Sequence, residues 1–278
     1  MFNARLVTAL ALLAGCIATL LFLPNRWWAA LLLPVLAVAA WEWGALAGIK
    51  PAQRWLYVGL VLGSACVIGL IAESTGGIAN RHAWVETAVY GASTAFWLLL
   101  ALPWLTRQWQ VRSRLALGAA GWMVLVPAWL AVARLQAEPE RLLAVLAIVW
   151  IADTAAYLAG GAWGRHRLAP RVSPAKTWEG VAGACAAVAV YYVVLSILAP
   201  DGRWWHGWSG AVLFAGVTLM SIVGDLYESW IKRQAGVKDS GALLPGHGGV
   251  LDRLDSVNSS MPLLHWCCRT SCRQLPRP

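Results

Sequence analysis

Long apolar blocks constrain the fold of this chain more than any other feature of its sequence. Eight blocks approach or exceed the roughly 20 apolar residues that an α-helix needs to cross a bilayer. Lipid offers no hydrogen-bond partners to backbone N–H and C=O groups, so blocks of this length must form helices. We therefore predict an all-α fold, a polytopic transmembrane helix bundle with about 8 helices. The blocks are Leu6–Leu23, Trp28–Leu46, Leu56–Ala72, Ala88–Leu105, Leu115–Ala133, Leu142–Gly161, Val181–Ala199 and Ser209–Ile231.

The distribution of lysine and arginine predicts how these helices are oriented. If the connecting segments are assigned alternately to the two sides of the membrane, one side receives 14 of these cations and the other receives 5. Cytoplasmic loops carry the excess of positive charge. We therefore expect a multi-pass protein of a bacterial inner membrane with a cytoplasmic amino terminus. The loops around residues 162–180 and 232–256 are then cytoplasmic too.

Several of the 13 acidic residues lie within apolar blocks or at their ends. They are Glu42, Asp153, Asp225 and Glu228. An ionisable group at membrane depth costs at least a few kcal/mol, so such a residue marks a functional site by default. The alternative is a structural partner for a buried cation or backbone group. For Glu42, which has no motif around it, the two interpretations have equal weight.

The end of the last block and the loop after it combine carboxylates, cations and glycines. Asp225, Glu228 and Lys232 are spaced i, i+3 and i+7, so they share one face of a helix. Aspartates offer the hard oxygen ligands that Mg²⁺ prefers, lysines and arginines bind phosphate, and glycines let the backbone approach a ligand. This mixture indicates metal-assisted chemistry on phosphates at a membrane surface. Its members are Asp225, Asp239, Asp252 and Asp255, the cations Lys232, Arg233, Lys238 and Arg253, and the glycines Gly246, Gly248 and Gly249.

A second polar patch, Ser173–Gly180, opens the seventh block. Free N–H groups and the positive end of the dipole make a helix amino terminus suitable for an anion. The glycine spacing of a Walker A loop is absent before Lys176. A simple helix start explains this patch equally well when it is taken without the other loop.

Together these segments resemble the CDP-diacylglycerol synthases (phosphatidate cytidylyltransferases). The resemblance covers roughly residues 150–256, and the amino-terminal half matches only as a series of hydrophobic helices. Two shorter stretches, Ala152–Tyr157 with Gly160 and Gly164 and Ser173–Gly180, are similar to the same family. The longest motif, with about fifteen specified positions, reads Ser229-x2-Lys232-Arg233-x4-Lys238-Asp239-x-Gly241-x2-Leu244-Pro245-x-His247-Gly248-Gly249-x2-Asp252-Arg253-x-Asp255.

The resemblance implies a reaction in which the phosphate of phosphatidate attacks the α-phosphorus of CTP. The products are CDP-diacylglycerol and pyrophosphate. No enzyme nucleophile is required, so the protein positions the substrates and neutralises their charge. The expected cofactor is Mg²⁺, as one or two divalent ions, and a second, monovalent ion is compatible with such a site. The expected partners are CTP, phosphatidate and membrane lipids, with no nucleic acid, and a homodimer is one option for the assembly.

The resemblance also implies roles for individual residues. The metal ligands are Asp225 and Asp252. The catalytic residues are Lys232, Arg233, Lys238, Asp239, Arg253 and Asp255. The substrate-binding residues are Asp153, Ser173, Lys176, Thr177, Glu179, Glu228, His247, Gly248 and Gly249.

We divide the chain into three regions. Residues 1–140 contain the N-terminal transmembrane helices, and residues 141–256 form the catalytic transmembrane region with its two cytoplasmic motif loops. Residues 257–278 form an atypical C-terminal tail, where a truncated or frame-shifted end and a natural variant are both open interpretations. Only 12 residues, Val257–Cys268, precede Arg269, and a helix of that length rises about 18 Å. We therefore expect the tail to form no spanning helix and to stay cytoplasmic or at the interface.

Two other functions are compatible with parts of this pattern. A transporter or channel also carries carboxylates within the membrane, but here the polar residues gather at one membrane face. A CTP-dependent lipid kinase that acts on a polyprenol-type alcohol would transfer the γ-phosphoryl group. Such a kinase needs a base for a hydroxyl group, whereas phosphatidate is already an anion.

Overall fold

The computed structural model of the protein describes residue 15 and residues 17–73, 83–199, 207–243 and 248–272. Helices dominate these residues, and a single two-stranded sheet is the only sheet among them. In chain order the elements are α1 (Asn25–Leu46), α2 (Pro51–Glu73), α3 (Ala83–Phe96), a π-helical turn (Trp97–Ala101), α4 (Leu102–Arg107), α5 (Arg114–Leu135), α6 (Pro139–Trp163), β1 (Arg167–Ala169), β2 (Ser173–Thr177), α7 (Trp178–Leu198), α8 (Gly207–Gln234), a 3₁₀ turn (Leu251–Arg253) and α9 (Asp255–Cys272).

Seven helices of the described part are long and apolar enough to cross a membrane, and α3 joins α4 through the π-helical turn to form one of them. They correspond to seven of the eight predicted blocks. Most of the first block, Leu6–Leu23, lies outside the described residues, although residues 17–22 are helical. The predicted all-α, multi-pass membrane fold is therefore confirmed.

Small residues bring α6 and α7 into close contact. Gly183 of α7 faces Ala159 of α6 so closely that a β-carbon would collide with the alanine side chain. At Gly180 a β-carbon would lie 2.8 Å from the carbonyl oxygen of Ala156. Membrane helices commonly associate through small residues, because close backbone approach maximises van der Waals contact where lipid provides no hydrophobic driving force. The close packing of α6 against α7 therefore holds in place the segment that connects them. This segment carries the Ser173–Gly180 patch.

An aromatic cluster holds the last turns of α8. The ring of Tyr227 lies 5.4 Å from Trp97, 5.6 Å from Trp104, 6.1 Å from Phe96 and 6.4 Å from Trp43, between ring centroids. Most of these pairs meet edge to face, which aromatic quadrupoles favour. The cluster anchors the polar face of α8 to α1 and to the α3–α4 span.

The segment between α6 and α7 was predicted as a loop, but it contains a β-hairpin. Strands β1 and β2 are antiparallel, with Arg167 opposite Thr177 and Ala169 opposite Ser173. The hairpin ends where Thr177 caps α7, since the threonine hydroxyl accepts a hydrogen bond from the Gly180 N–H at 3.1 Å. The prediction that this patch opens the seventh helix is correct.

The carboxyl-terminal segment, for which we predicted no membrane-spanning helix, is not among the seven apolar spans of the described residues. Its described part forms the 18-residue helix α9, which is enclosed by α3, α5 and α8. Its composition keeps it out of the seven apolar spans, but protein rather than lipid surrounds it. Ser259 and Ser260 are fully buried and donate to backbone carbonyl groups, so the helix tolerates polar residues and Pro262.

Helix α9 runs antiparallel to α8. At the far end of α9, the ring of His265 contacts the ring of Tyr90 on α3, and their centroids are 4.6 Å apart. The beginning of α9 lies so close to α8 that a β-carbon at Gly224 would collide with it. Three facing pairs mark its course along α8, namely Asp255 with Gly224, Ser259 with Met220, and Leu263 with Gly216.

Candidate functional site

Two clusters of charged side chains lie at one end of the bundle. The first, here called the Lys176 cluster, contains Lys176, Asp153, Asp225 and Asp255. The second, the Lys232 cluster, contains Lys232, Glu228 and Asp252. Five carboxylates thus face two ammonium groups, and this excess of negative charge favours an additional cation.

The Lys176 cluster joins three elements. Strand β2 places the Lys176 ammonium group on Oδ2 of Asp225, which lies on α8. The Ser229 hydroxyl, one turn further along α8, lies 3.5 Å from Oδ1 of Asp225. Asp153 reaches the same place from α6, and its Oδ2 lies 3.4 Å from the Ser256 hydroxyl on α9. The two motif segments therefore meet in one site, as the sequence predicted.

Asp255 is the first residue of α9 and lies within electrostatic range of Asp225. Burial and, secondly, the neighbouring Asp225 carboxylate together raise the pKa of the Asp255 carboxyl to about 7, against the opposing effects of the Ser256 N–H, Lys176 and Lys232. A carboxyl group with this pKa lacks sufficient cationic compensation. A bound cation at this position would favour its ionised form.

The Lys232 cluster is less accessible to solvent. The Lys232 ammonium group donates to Oε1 of Glu228 at 3.1 Å and to Oδ1 of Asp252 at 2.5 Å. The exposed fractions of the three side chains are 10%, 4% and 9%, respectively. A buried ion pair of this kind depends on all its partners, because removal of one leaves an uncompensated charge.

Asp252 is held by backbone groups as well as by Lys232. Its Oδ2 accepts the N–H groups of Gly249 at 2.8 Å and Ser240 at 3.0 Å, together with the Ser240 hydroxyl at 3.0 Å. Burial opposes ionisation of Asp252, but these donors and the Lys232 hydrogen bond prevail and hold the pKa of the carboxyl below its usual range. Both oxygens of Asp252 are therefore engaged by protein donors.

Glu42 of α1 anchors the loop that carries Asp252. Its carboxylate accepts the N–H of Val250 at 3.1 Å and the N–H of Leu251 at 2.8 Å, and it accepts the Ser240 hydroxyl at 2.9 Å. The Ser240 hydroxyl thus lies between Glu42 and Asp252, within hydrogen-bond distance of both, and donates its single proton to one of them at a time. Of the two interpretations left open for Glu42, the structure favours a partner for backbone groups. Sequence reasoning did not identify Ser240, and only the unexplained carboxylate in α1 pointed to this contact.

Two of the described glycines of this loop, Gly248 and Gly249, have steric reasons for their positions. Gly248 has a φ of +82°, a conformation that strains other residues, and a β-carbon there would lie 2.8 Å from Oδ2 of Asp252. At Gly249 a β-carbon would collide with Ser240 and Glu42. These glycines bring the backbone close to the protein's own carboxylates, and their binding of a substrate stays a prediction. The predicted substrate-binding residue His247 lies outside the described residues.

Several other predicted site residues have structural contacts in this arrangement. The Arg233 guanidinium donates to the carbonyl groups of Val172 at 3.3 Å and Val237 at 3.0 Å, which ties the hairpin to α8. Glu179 accepts the His166 N–H at 3.2 Å and lies 2.6 Å from Nδ1 of the same residue. The remaining predicted residues have varied exposure: Ser173 is half-buried, whereas Lys238, Asp239 and Arg253 are exposed at the rim of the site.

The two predicted metal ligands differ in their fit to a cation. Among the described residues, no three His, Cys, Asp or Glu side chains converge to enclose a metal ion. Mg²⁺ does not need such an enclosure, because it commonly binds one or two carboxylates together with substrate phosphates and water. Asp225, with Asp153 and Asp255 near it, fits this requirement. Protein donors contact the oxygens of both aspartates: Lys176 and Ser229 contact Asp225, whereas Lys232, Ser240 and Gly249 contact Asp252, which accepts the larger number of hydrogen bonds.

The sequence is similar to known proteins over nearly its whole length. A model of the cytidylyltransferase family matches residues 3–271. The chain is 37% identical over 285 residues to the phosphatidate cytidylyltransferase of Pseudomonas aeruginosa, and the alignment covers 95% of each chain. It is 32% identical over 287 residues to the enzyme of the same name from Haemophilus influenzae, with 96% of this chain and 98% of the relative covered. A shorter alignment of 122 residues, 44% of each chain, gives 52% identity to the Brucella suis phosphatidate cytidylyltransferase.

Proposed function

The chain belongs to the cytidylyltransferase family, and from this premise we propose that it transfers the cytidylyl group of CTP to phosphatidate. The products are CDP-diacylglycerol, a phospholipid precursor, and pyrophosphate. The observation that carries the proposal is the pairing of Lys176 with Asp225, which unites two separate signature segments in one charged site. The relatives' names favour this reaction over a lipid kinase or a transporter.

The chemistry requires one bond to form and one to break at the α-phosphorus of CTP. A phosphate oxygen of phosphatidate attacks, and the bond to the β-phosphate oxygen breaks as pyrophosphate leaves. Both substrates are anions, so the site must overcome their mutual repulsion and hold them in line. Lys176 and Lys232 are the two ammonium groups placed for this task. Lys238 and Arg253 at the rim extend the positive surface toward incoming phosphates.

The excess of carboxylates supports a divalent cation as cofactor. Asp225 would hold it, with Asp153 and Asp255 beside it, and Mg²⁺ suits these hard oxygen donors. When bound, the ion would neutralise phosphate charge and assist the departure of pyrophosphate. We assign Asp252 mainly to the organisation of the loop, because its donors come from Lys232, Ser240 and Gly249.

We further propose that the site faces the cytoplasm from a bacterial inner membrane. Support comes from the cation bias of 14 to 5 between the two sides, and from the need for CTP. Both motif segments lie at the same end of the bundle, since Lys176 contacts Asp225 and Lys232 contacts Asp252.

One assay tests the proposed reaction. Purified protein in detergent receives CTP labelled in the cytosine ring, phosphatidate and Mg²⁺, and the lipid products are identified by mass. We expect label in CDP-diacylglycerol and release of pyrophosphate. Release of CDP with a phosphorylated lipid would instead identify a kinase and overturn the proposal.

A further inference from the structure

A cavity of about 310 Å³ lies between α1, α2 and α5, at the end of the bundle opposite the charged site. The residues of α1 that line it lie between Asn25 and Leu33. Leu33 precedes Glu42, which anchors the site loop, by nine residues, and nine helical residues rise about 14 Å. The cavity is therefore separate from the charged site, and the proposed reaction does not use it.

The walls of this cavity are mostly apolar, and one side of it meets the lipid. Leu33 of α1 and Leu130 of α5 line it, and so does Leu70 of α2, which is 66% exposed on the outer surface of the bundle. The volume suits a chain of about ten methylene groups, if each takes up roughly the 30 Å³ that a water molecule occupies in the liquid. A hydrocarbon chain of a bilayer lipid can therefore enter beside Leu70 and lie along α1.

Two arginines, Arg26 and Arg134, are the charged residues that line the cavity within the described part of the chain. Arg26 lies in the first turn of α1 and is exposed, with its Cζ 5.8 Å from the centroid of the Trp27 ring. Trp27 is exposed too, and exposed tryptophans at helix ends lie at the level of the lipid head groups. Long cationic side chains keep their charge at the same level, so the arginines lie where a lipid phosphate would be.

Protein contacts hold this end of the cavity in place. Nδ2 of Asn25 donates to the carbonyl group of Ala133 at 2.7 Å and to Oε1 of Gln136 at 2.9 Å. The Arg134 Nε lies 2.8 Å from Oε1 of Glu86, a buried residue of α3. The beginning of α1 is thus fixed against the end of α5, and such pre-organisation lowers the cost of binding a ligand.

The charges that line the cavity do not balance. Glu86 compensates Arg134, whereas Arg26 forms no ion pair with any residue that the structure describes and rests only on the face of Trp27. One monovalent anion would therefore complete the balance. Guanidinium groups bind phosphate oxygens well, and an apolar cavity adjoins them. A phospholipid whose head group carries a net negative charge combines both properties.

We propose that this cavity binds an anionic phospholipid of the bilayer, with one acyl chain between α1, α2 and α5 and the phosphate against Arg26 and Arg134. The lipid is a structural ligand rather than a substrate, because its phosphate lies far from the charged site. With the charged site toward the cytoplasm, as proposed above, this lipid belongs to the outer leaflet. The inference does not depend on the proposed reaction.

The test uses Cys66, which lines the cavity, and compares it with Cys185, which is exposed on α7 and does not line it. Full-length variants that keep only one of these cysteines are purified in a non-ionic detergent and treated with a maleimide. At about ten times its Kd, dioleoyl phosphatidylglycerol should slow the reaction of Cys66 about tenfold. Dioleoyl phosphatidylcholine has the same chains without net charge, and glycerol 3-phosphate has the anion without chains. We expect each of them to slow Cys66 less than about twofold, and no compound to slow Cys185.

Arg26→Gln should make the two lipids equivalent at Cys66. Arg112→Gln is the matched control, because it removes the same charge from an exposed arginine just before α5, at the opposite end of the bundle. This control should keep the preference for phosphatidylglycerol, and thermal melts verify that both variants are folded.

Several results would overturn the proposal. Equal protection of Cys66 by the two lipids in the native protein would show a groove without a phosphate site. Protection that persists in Arg26→Gln would exclude the proposed role of this arginine. Protection by neither lipid, or equal slowing of Cys185, would show that no lipid enters the cavity. Formation of CDP-diacylglycerol is not measured in this experiment, so the lipid site and the proposed function can fail independently.

Discussion

Lys176 on β2 forms an ion pair with Asp225 on α8, across 49 residues of sequence. Lys176 belongs to the Ser173–Gly180 segment, and Asp225 lies one helical turn before Ser229, where the longest family motif begins. Because the Lys176 ammonium group pairs with Asp225, the hairpin supplies the positive charge that compensates this carboxylate. The hairpin is therefore part of the site, and its position determines how much negative charge remains for a metal ion.

The first prediction separates the two aspartates proposed as metal ligands. Asp225→Asn and Asp252→Asn should each lower turnover by orders of magnitude, since both lie in charged clusters with few alternatives. Only Asp225→Asn should raise the Mg²⁺ concentration needed for half-maximal activity. Asp252→Asn should mainly lower the melting temperature, because Asp252 organises the loop through Ser240 and Gly249. Steady-state kinetics across a Mg²⁺ titration and thermal melts distinguish these effects. Activity near the native level at limiting Mg²⁺ in either variant would contradict the assignment.

The second prediction concerns the glutamate that anchors the loop. Glu42→Ala removes the acceptor for two backbone N–H groups and the Ser240 hydroxyl. We expect the free energy of unfolding to fall by about 2–3 kcal/mol, and turnover to fall with it. Glu140→Ala is a suitable control, because Glu140 is exposed at the start of α6. Equal stability of the two variants in a detergent melt would argue against an anchoring role.

The third prediction concerns the contact between α8 and α9. Gly224→Ala would place a methyl group against Ser259 and the Asp255 carbonyl group. Overpacking of this kind typically costs about 1–3 kcal/mol, and here it should also displace Asp255 and reduce activity. Gly63→Ala on α2 is the control, since a β-carbon there meets no atom within 4 Å. If the Gly224→Ala variant had the same melting temperature and the same activity as the control, α9 would not pack against α8 as described.

The fourth prediction tests the orientation in the membrane. In a cysteine-free background, single cysteines at Ala175 and Ala235, both exposed near the site, should resist a membrane-impermeant thiol reagent added from the periplasmic side. Ala137→Cys, exposed at the opposite end of the bundle, should react. Reaction at both site positions would invert the topology. Reaction at only one of them would contradict the contact between Lys176 and Asp225.

The helices and the clustering of the motifs could be predicted because each depends on local information. The length of an apolar run identifies a membrane-spanning helix. The spacing of Asp225, Glu228 and Lys232 places these three residues on one face of a helix. The partners of Glu42 could not be predicted, since its contacts to Ser240 and Leu251 bridge 198 and 209 residues. The packing of α9 could not be predicted for a different reason. Ser259 donates to Met220 of α8 and Ser260 donates to Ser256 within α9, and a hydropathy criterion considers neither contact.

The contact between Glu42 and Leu251 has a consequence for how the protein is made. At about 5–20 residues per second, the ribosome needs roughly 10–40 s to synthesise the 209 residues that separate the acceptor from its donor. During that interval α1 is inserted with a carboxylate that has none of its final partners. Glu42 lies near the end of α1, so water can solvate its carboxylate during this time. The loop that carries Asp252 can attach to α1 only after nearly the whole chain has been synthesised.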